Sequence, residues 1–337
     1  RIVNEKALAV NMGNNVLQAE LLVEKGDKKG AVEYYKKAIQ PAMQLFETTN
    51  DAKYLKNAGY YSYAAGQYLF RAADYQAAHP LMQSGVELYT RLVRGGNYSY
   101  AGDIVTMLNA LLKVTIFLHD DSKSLQTRRF AAETLENIPE EIRTDQMLEM
   151  CIEMYGGASL SASLLKDSVE AERLNRKRLE LVIPWAQRVR TAAAADAVAQ
   201  AGLKQVALER VKPQRGEEEY YLGLSESYVA ILLAMDSGSE NTKKVTASCR
   251  EARGNNVFFN KDYQMAITQF MEAYELRKEI KSYTFALLDA DKLIAAYEKL
   301  GDLKAASEIE AEAIEIERAY KNRPQELQRR QQKLSTL

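Results

Sequence analysis

Two cysteines and two histidines carry all the thiol and imidazole chemistry that this chain of 337 residues offers. Cys151 and Cys249 lie far apart and outside any Cys-x-x-Cys arrangement, the spacing that a zinc site or a redox pair needs. A free thiol packs as a small hydrophobe, so both read as buried thiols. His79 and His119 stand beside helix starts or turns, with no second His or carboxylate at metal-binding spacing, and read as surface or capping residues. No Gly-x-x-x-x-Gly-Lys loop, Gly-x-Gly-x-x-Gly fingerprint, His-Glu-x-x-His helix or Gly-x-Ser-x-Gly elbow occurs. The sequence therefore predicts no metal, no cofactor and no catalysis of the chain's own. Recognition chemistry is richer: there are twenty tyrosines against eight Phe and one Trp, clustered as Tyr34-Tyr35, Tyr60-Tyr61-Ser62-Tyr63, Tyr98-Ser99-Tyr100 and Tyr220-Tyr221. A tyrosine joins a large apolar face to a polar tip, which suits interfaces, although most of these rings read as packing between helices.

The elements that position these residues are helical. Ala, Leu, Glu, Lys and Gln dominate, and alternating runs of Val, Ile and Thr are absent. Breaks are expected at Gly95-Gly96-Asn97, His119 to Ser122, Gly156-Gly157, Asp236 to Ser239 and Gly301-Asp302. From Arg253 to Ala273 the chain reads as two helices joined by a tight turn. Gly254, Ala266, Phe270 and Ala273 there fall on the small, small, aromatic and Ala positions of the 34-residue tetratricopeptide pattern, which the stretch resembles. On that resemblance Gly254 and Ala266 face each other at the helix crossing, and Phe270 fills the gap to the next repeat.

Echoes recur along the chain. Ala19, Ala31, Tyr35 and Ala38 match, as do Gly66, Ala78, Met82 and Gly85, although Pro80 departs from the pattern. Further second helices are expected after Gly301-Asp302, from Leu125 to Pro139, and from Leu165 with Pro184 just beyond its end. Glu310 stands where an aromatic belongs, which is read as the polar outer face of a terminal cap. Steps of about 44 to 49 residues between these landmarks require helices longer than in the basic repeat. One further pair is placed near Trp185 to Ala201 and Glu217 to Met235 by the stripe Tyr221, Leu224, Tyr228, Ile231 and Leu232. The reading is an all-α chain, an α-α superhelix of about seven helix pairs. It is taken as one domain over residues 1–320, with 321–337 a polar C-terminal helix or linker in which Leu327 and Leu334 lie one heptad apart.

Net charge is -1 with both signs interspersed, so no basic field collects nucleic acid. No apolar stretch is read as long enough to cross a bilayer, and the chain reads as soluble. It begins at Arg1 without Met, as a trimmed or mature piece would.

The resemblance implies a protein or peptide partner in a concave groove lined by the first helix of each repeat. Carried over position by position, the groove residues are Tyr60, Tyr63, Gln67, Phe70 and Arg71 in one repeat and Ser248, Glu251, Asn255, Phe258 and Phe259 in another. Asn255 fits the family's carboxylate clamp, but Glu251, Val16 and Tyr63 lack its positive charge. The expectation is a non-catalytic interaction scaffold. Two alternatives stand beside it. The first is an extracytoplasmic sensor region of a bacterial signalling protein, suggested by long helices ending in a Glu/Gln/Arg/Lys-rich helix. The second is an enzyme with its site in the divergent middle, from about Glu140 to Met235.

Overall fold

The computed structural model describes residues 2–212 and 216–337. Among the described residues there are fifteen α-helices and no strand. They are α1 (Ile2–Glu24), α2 (Lys28–Thr49), α3 (Ala52–Arg71), α4 (Tyr75–Arg94), α5 (Ala101–Leu118), α6 (Asp121–Glu136), α7 (Asp145–Leu164), α8 (Ser168–Val189), α9 (Ala192–Arg210), α10 (Glu218–Met235), α11 (Glu240–Phe259), α12 (Tyr263–Glu279), α13 (Tyr283–Leu300), α14 (Leu303–Ile316) and α15 (Pro324–Leu334). The first fourteen make seven successive pairs. Two compact units divide within α8, the first ending at Leu174 and the second running from Asn175. Inside each unit every helix packs on its neighbours in the chain, from α1 to α7 in the first and from α9 to α15 in the second. The expectation of long helices is met most clearly at the start, where α1 and α2 have 23 and 22 residues.

One local device starts most second helices. A residue in the left-handed region (Gly26, Ala73, His119, Lys166, Lys261 or Gly301) is followed at once by an aspartate. Asp27, Asp74, Asp120, Asp167, Asp262 and Asp302 then accept from the backbone N–H three residues on, at 2.9 to 3.2 Å. The first residue turns the chain and the second satisfies an otherwise unpaired amide of the helix start.

Small residues set how closely the pairs approach. A Cβ added to Gly66 would meet Met82 Cγ at 2.4 Å and the Ala78 carbonyl at 3.0 Å, and one on Gly85 would meet Tyr63 Cβ at 2.9 Å. The α3–α4 crossing thus uses the residues the pattern marked. At Gly254 the detail differs, because the ring of Phe270, rather than Ala266, lies over the glycine, 2.5 Å from where its Cβ would be. Phe270, Ala266 and Ala273 are all buried, and full burial of such a ring contributes about 1.5–3 kcal/mol.

Several sequence expectations need correction. Gly156-Gly157 is no break but lies inside α7, where the missing Cβ of Gly157 leaves room for the Arg128 guanidinium. Pro184 does not follow a helix end, since α8 runs through it to Val189. The buried face of α10 is Tyr221, Leu222, Ser225, Val229 and Leu232, with Ile231 outside. Ser225 decides this, as it packs where a Gly202 side chain would stand and donates to the Ala199 carbonyl. His79 is buried, not on the surface: its Nε2 bonds Thr127 Oγ1 at 2.8 Å. His119 does cap α5 in the left-handed conformation. Glu310 is fully buried rather than on a polar outer face, and Arg330 from α15 accompanies it. Finally, Tyr98–Leu118, with mean hydropathy 1.6, is long and apolar enough to cross a membrane by length and composition. It packs against α4 and buries Ile104, Leu108, Leu111 and Val114 in the core of its unit, while Ile116 and Phe117 stay exposed.

Candidate partner-binding faces

Helix α3 starts at Asp51, whose carboxylate accepts from the Lys53 amide, and turns Gly59 and Gly66 toward α4. Its other side carries the predicted residues at helical spacing. Tyr60, Tyr63, Gln67 and Arg71 line one recess of about 340 Å³ with Ala64 and Tyr68. Tyr60 is 50 % exposed and meets Tyr61 edge-on at 5.9 Å. Behind it Tyr61, Tyr35 and Tyr68 form a stack with ring centres 6.1 Å apart, a rigid wall. Gln67 donates to the Tyr63 hydroxyl at 2.7 Å, leaving the phenolic proton for an outside acceptor. Burial raises the Tyr63 pKa and pushes Tyr35 up to about 12, so both phenols keep their protons at neutral pH. Arg71 lies 5.9 Å over the Tyr68 ring and has no ion-pair partner among the described residues. Phe70 is not part of this recess. It belongs to a separate aromatic cluster with Tyr75 at 5.6 Å and Phe117 at 5.7 Å. Donors facing outward from aromatic walls can hold carbonyl or carboxylate oxygens while apolar groups stack.

In the second unit Asn255 and Phe258 of α11 come together with Phe270, Leu288, Asp291, Lys292 and Ala295 around a recess of about 310 Å³. Glu251, one turn before Asn255, does not face a ligand freely. It bonds both Lys292 and Arg277, and Arg277 bonds Asp289 at 2.6 Å. Burial works against the Glu251 carboxylate, but Lys292 and Arg277 outweigh it and hold its pKa below the usual range. For Asp289, fully buried, desolvation outweighs Arg277 and pushes the pKa up to about 7. No local motif announces this network, because its members lie on three helices. Ser248 and Phe259 are not among the residues around the recess.

In the divergent middle, Arg176, Leu179, Glu180, Ile183, Pro184, Tyr220 and Tyr221 border a recess of about 340 Å³. The Arg176 guanidinium donates to the Tyr221 hydroxyl at 2.9 Å and also to Glu217. Cys151 and Cys249 are buried and not joined in a disulfide. The Cys151 thiol donates to the Ala132 carbonyl at 3.3 Å, and burial pushes the Cys249 thiol up to about 12. Among the described residues no group of three or more His, Cys, Asp or Glu could hold a metal ion.

These features define an all-α protein of tetratricopeptide-like helix pairs. No protein-family model matches the chain, and no curated relative does. Among solved structures it is similar to BtubC from P. vanneervenii, at 15 % identity over 69 % of this chain and 87 % of that one, with a TM-score of 0.48. It is also similar to the apo quorum sensor NprR from B. thuringiensis, at 13 % identity over 97 % and 80 % with a TM-score of 0.48. A third is the C-terminal part of a TPR repeat-containing protein from Cytophaga hutchinsonii, at 14 % identity over 77 % and 93 % with a TM-score of 0.25. The assignment of the fold rests on the chain's own helices and contacts.

Proposed function

We propose that the chain is a non-catalytic scaffold that binds a protein or peptide partner through the exposed sides of its first helices. On α3 the partner meets Tyr60, Tyr63, Gln67 and Arg71, and Phe70 offers a separate contact through its cluster with Tyr75 and Phe117. On α11 it meets Asn255 and Phe258. The observation that supports this reading best is the state of Arg71. It stands at the mouth of an aromatic recess without a carboxylate, whereas Arg253, Arg277 and Arg330 in the second unit each have acidic partners. Tyr and Arg are the side chains that anchor interfaces most often, at about 2 kcal/mol or more each when truncated.

The test begins with affinity capture using the whole chain and identification of what binds. Tyr60→Ala with Arg71→Ala should then weaken the captured partner at least tenfold, the equivalent of about 1.4 kcal/mol. Both side chains are exposed, so the melting temperature should stay near that of the parent. Unchanged affinity in the folded variant would move the site off α3.

A further inference from the structure

Helix α15 is attached in an unusual way. Its sequence is Pro-Gln-Glu-Leu-Gln-Arg-Arg-Gln-Gln-Lys-Leu, and its one buried side chain is Arg330, 1 % exposed. Helices ordinarily dock through an apolar stripe, but here Leu327 and Leu334 are only half-buried and the anchor is a guanidinium. Arg330 Nη1 lies 2.9 Å from Asp291 and 3.3 Å from the fully buried Glu310, and Nη2 donates to the Leu287 carbonyl at 3.4 Å. The neighbours repeat the pattern: Arg329 is 3.6 Å from Asp291, Lys333 is 3.7 Å from Glu298, and Arg323 is 2.6 Å from Glu317. A basic segment therefore sits on an acidic seat built by α13, α14 and the turn after α14. The seat needs its cation, because Glu310 buried without one would carry an uncompensated charge.

The seat also adjoins something α15 leaves unused. Asp291 is at once the Arg330 partner and a wall of the recess formed with Asn255, Phe258, Phe270, Leu288, Lys292 and Ala295, none of them from α15. Leu288 there is 49 % exposed.

We propose that this seat is a recognition site for a basic segment of a protein partner, and that α15 is its internal occupant. The partner places an arginine on Asp291 and Glu310, and an apolar side chain in the recess of Phe258, Phe270 and Leu288. That second contact, which α15 does not make, lets the partner displace α15. The proposal rests on reading the Asn255–Phe258 face as a protein-binding face, and it supplies the chemistry of the segment bound there. A basic segment is favoured by charge: the seat presents Asp291, Glu298, Glu310 and Glu317.

The test uses the whole chain and a fluorescent synthetic peptide with the sequence of residues 323–337. Peptide binding to the Arg330→Gln chain, in which the internal occupant is weakened, should be at least tenfold tighter than to the parent. The gain should vanish for the same peptide carrying Gln at the Arg330 place, and for a chain that also carries Asp291→Asn. Equal binding to parent and variant, or a gain that survives the Gln peptide, would overturn the proposal. A tryptophan scan of the peptide should find at least one position that binds a further tenfold tighter, with that increment lost in Leu288→Glu; no such position would remove the recess from the proposal. Should Arg330→Gln fail to fold, hydrogen exchange of the parent decides. Between about 0.05 and 0.5 M NaCl, screening of the part-exposed pairs of Arg323, Arg329 and Lys333 should lower protection of α15 while that of α13 holds, and an unaffected α15 would mean that the basic residues around Arg330 do not hold it on the seat. These titrations read the seat and its recess in the second unit while the α3 variants read the first unit, so the α3 reading can fail with the seat intact, and the seat can fail with the α3 reading intact.

Discussion

The contact between Gly254 and Phe270 allows a sharp test of how the α11–α12 pair is held. Phe270 is 1 % exposed, stands 6.4 Å from Phe258 and lies beneath Lys292 at 5.8 Å. Phe270→Ala empties that site and should cost about 3–5 kcal/mol. Gly254→Ala places a Cβ 2.5 Å from a carbon of the buried Phe270 ring. That overpacking costs about 1–3 kcal/mol, and replacing a mid-helix glycine returns about 1 kcal/mol, so the net is a loss of about 0–2 kcal/mol. In the Phe270→Ala background the ring is gone. The same Gly254→Ala then gains helix propensity and fills part of the cavity, and should stabilise by about 1 kcal/mol. The two substitutions should therefore couple by about 1–3 kcal/mol, with the sign of the glycine effect reversed. Urea unfolding of the four proteins, followed by far-UV circular dichroism, measures this directly. Additive effects would mean that the ring does not sit over the glycine and that the repeat register is wrong.

The turn device predicts opposite results at adjacent residues: Asp262→Ala should lose about 1 kcal/mol through the helix cap, while Lys261→Gly should gain up to about 1 kcal/mol by relieving a left-handed side chain, both read from urea midpoints. The two units should respond to pH in opposite directions. Asp289 in the second has its pKa raised to about 7, so between the unfolded carboxylate range and pH 7 the folded state holds the extra proton and stability falls as pH rises, by on the order of 1 kcal/mol per pH unit. Asp289→Asn should abolish that slope. In the first unit, burial and then Lys123 lower the His79 pKa, so below the usual histidine range the unfolded state binds the extra proton and stability falls as pH drops. His79→Gln should flatten it, as hydrogen exchange resolved by unit would report.

Much of the fold was legible because its information is local. A left-handed residue followed by aspartate, a small residue one turn from a crossing, and long runs of good helix formers act within a few positions of one another. Most of the helix pairs and their turns could be read from them, but the helix expected near Trp185 to Ala201 straddles the break at Arg190-Thr191, where α8 ends and α9 begins. Where the reading failed, a distant neighbour had decided. Gly156-Gly157 is a break by local propensity, yet Arg128 from α6 packs at Gly157 within an unbroken helix. The apolar stripe of α10 was misplaced by one residue because Ser225 fits the gap at Gly202, which the period of α10 alone cannot encode.

The candidate faces divide in the same way. By itself the sequence determined that Tyr60, Tyr63, Gln67 and Arg71 share one side of one helix, since 3.6 residues per turn places them there whatever surrounds them. Only the tertiary structure decided that Phe70 leaves that recess for Tyr75 and Phe117, that Glu251 is held by Arg277 and Lys292, and that Glu310 is buried against Arg330. The reason is physical: ion pairing and ring packing depend on groups brought together from other helices, 20 residues apart for Glu310 and Arg330 and 41 for Glu251 and Lys292. The energy of a buried charge depends on what else is within a few ångströms of it, and no window along the chain contains that.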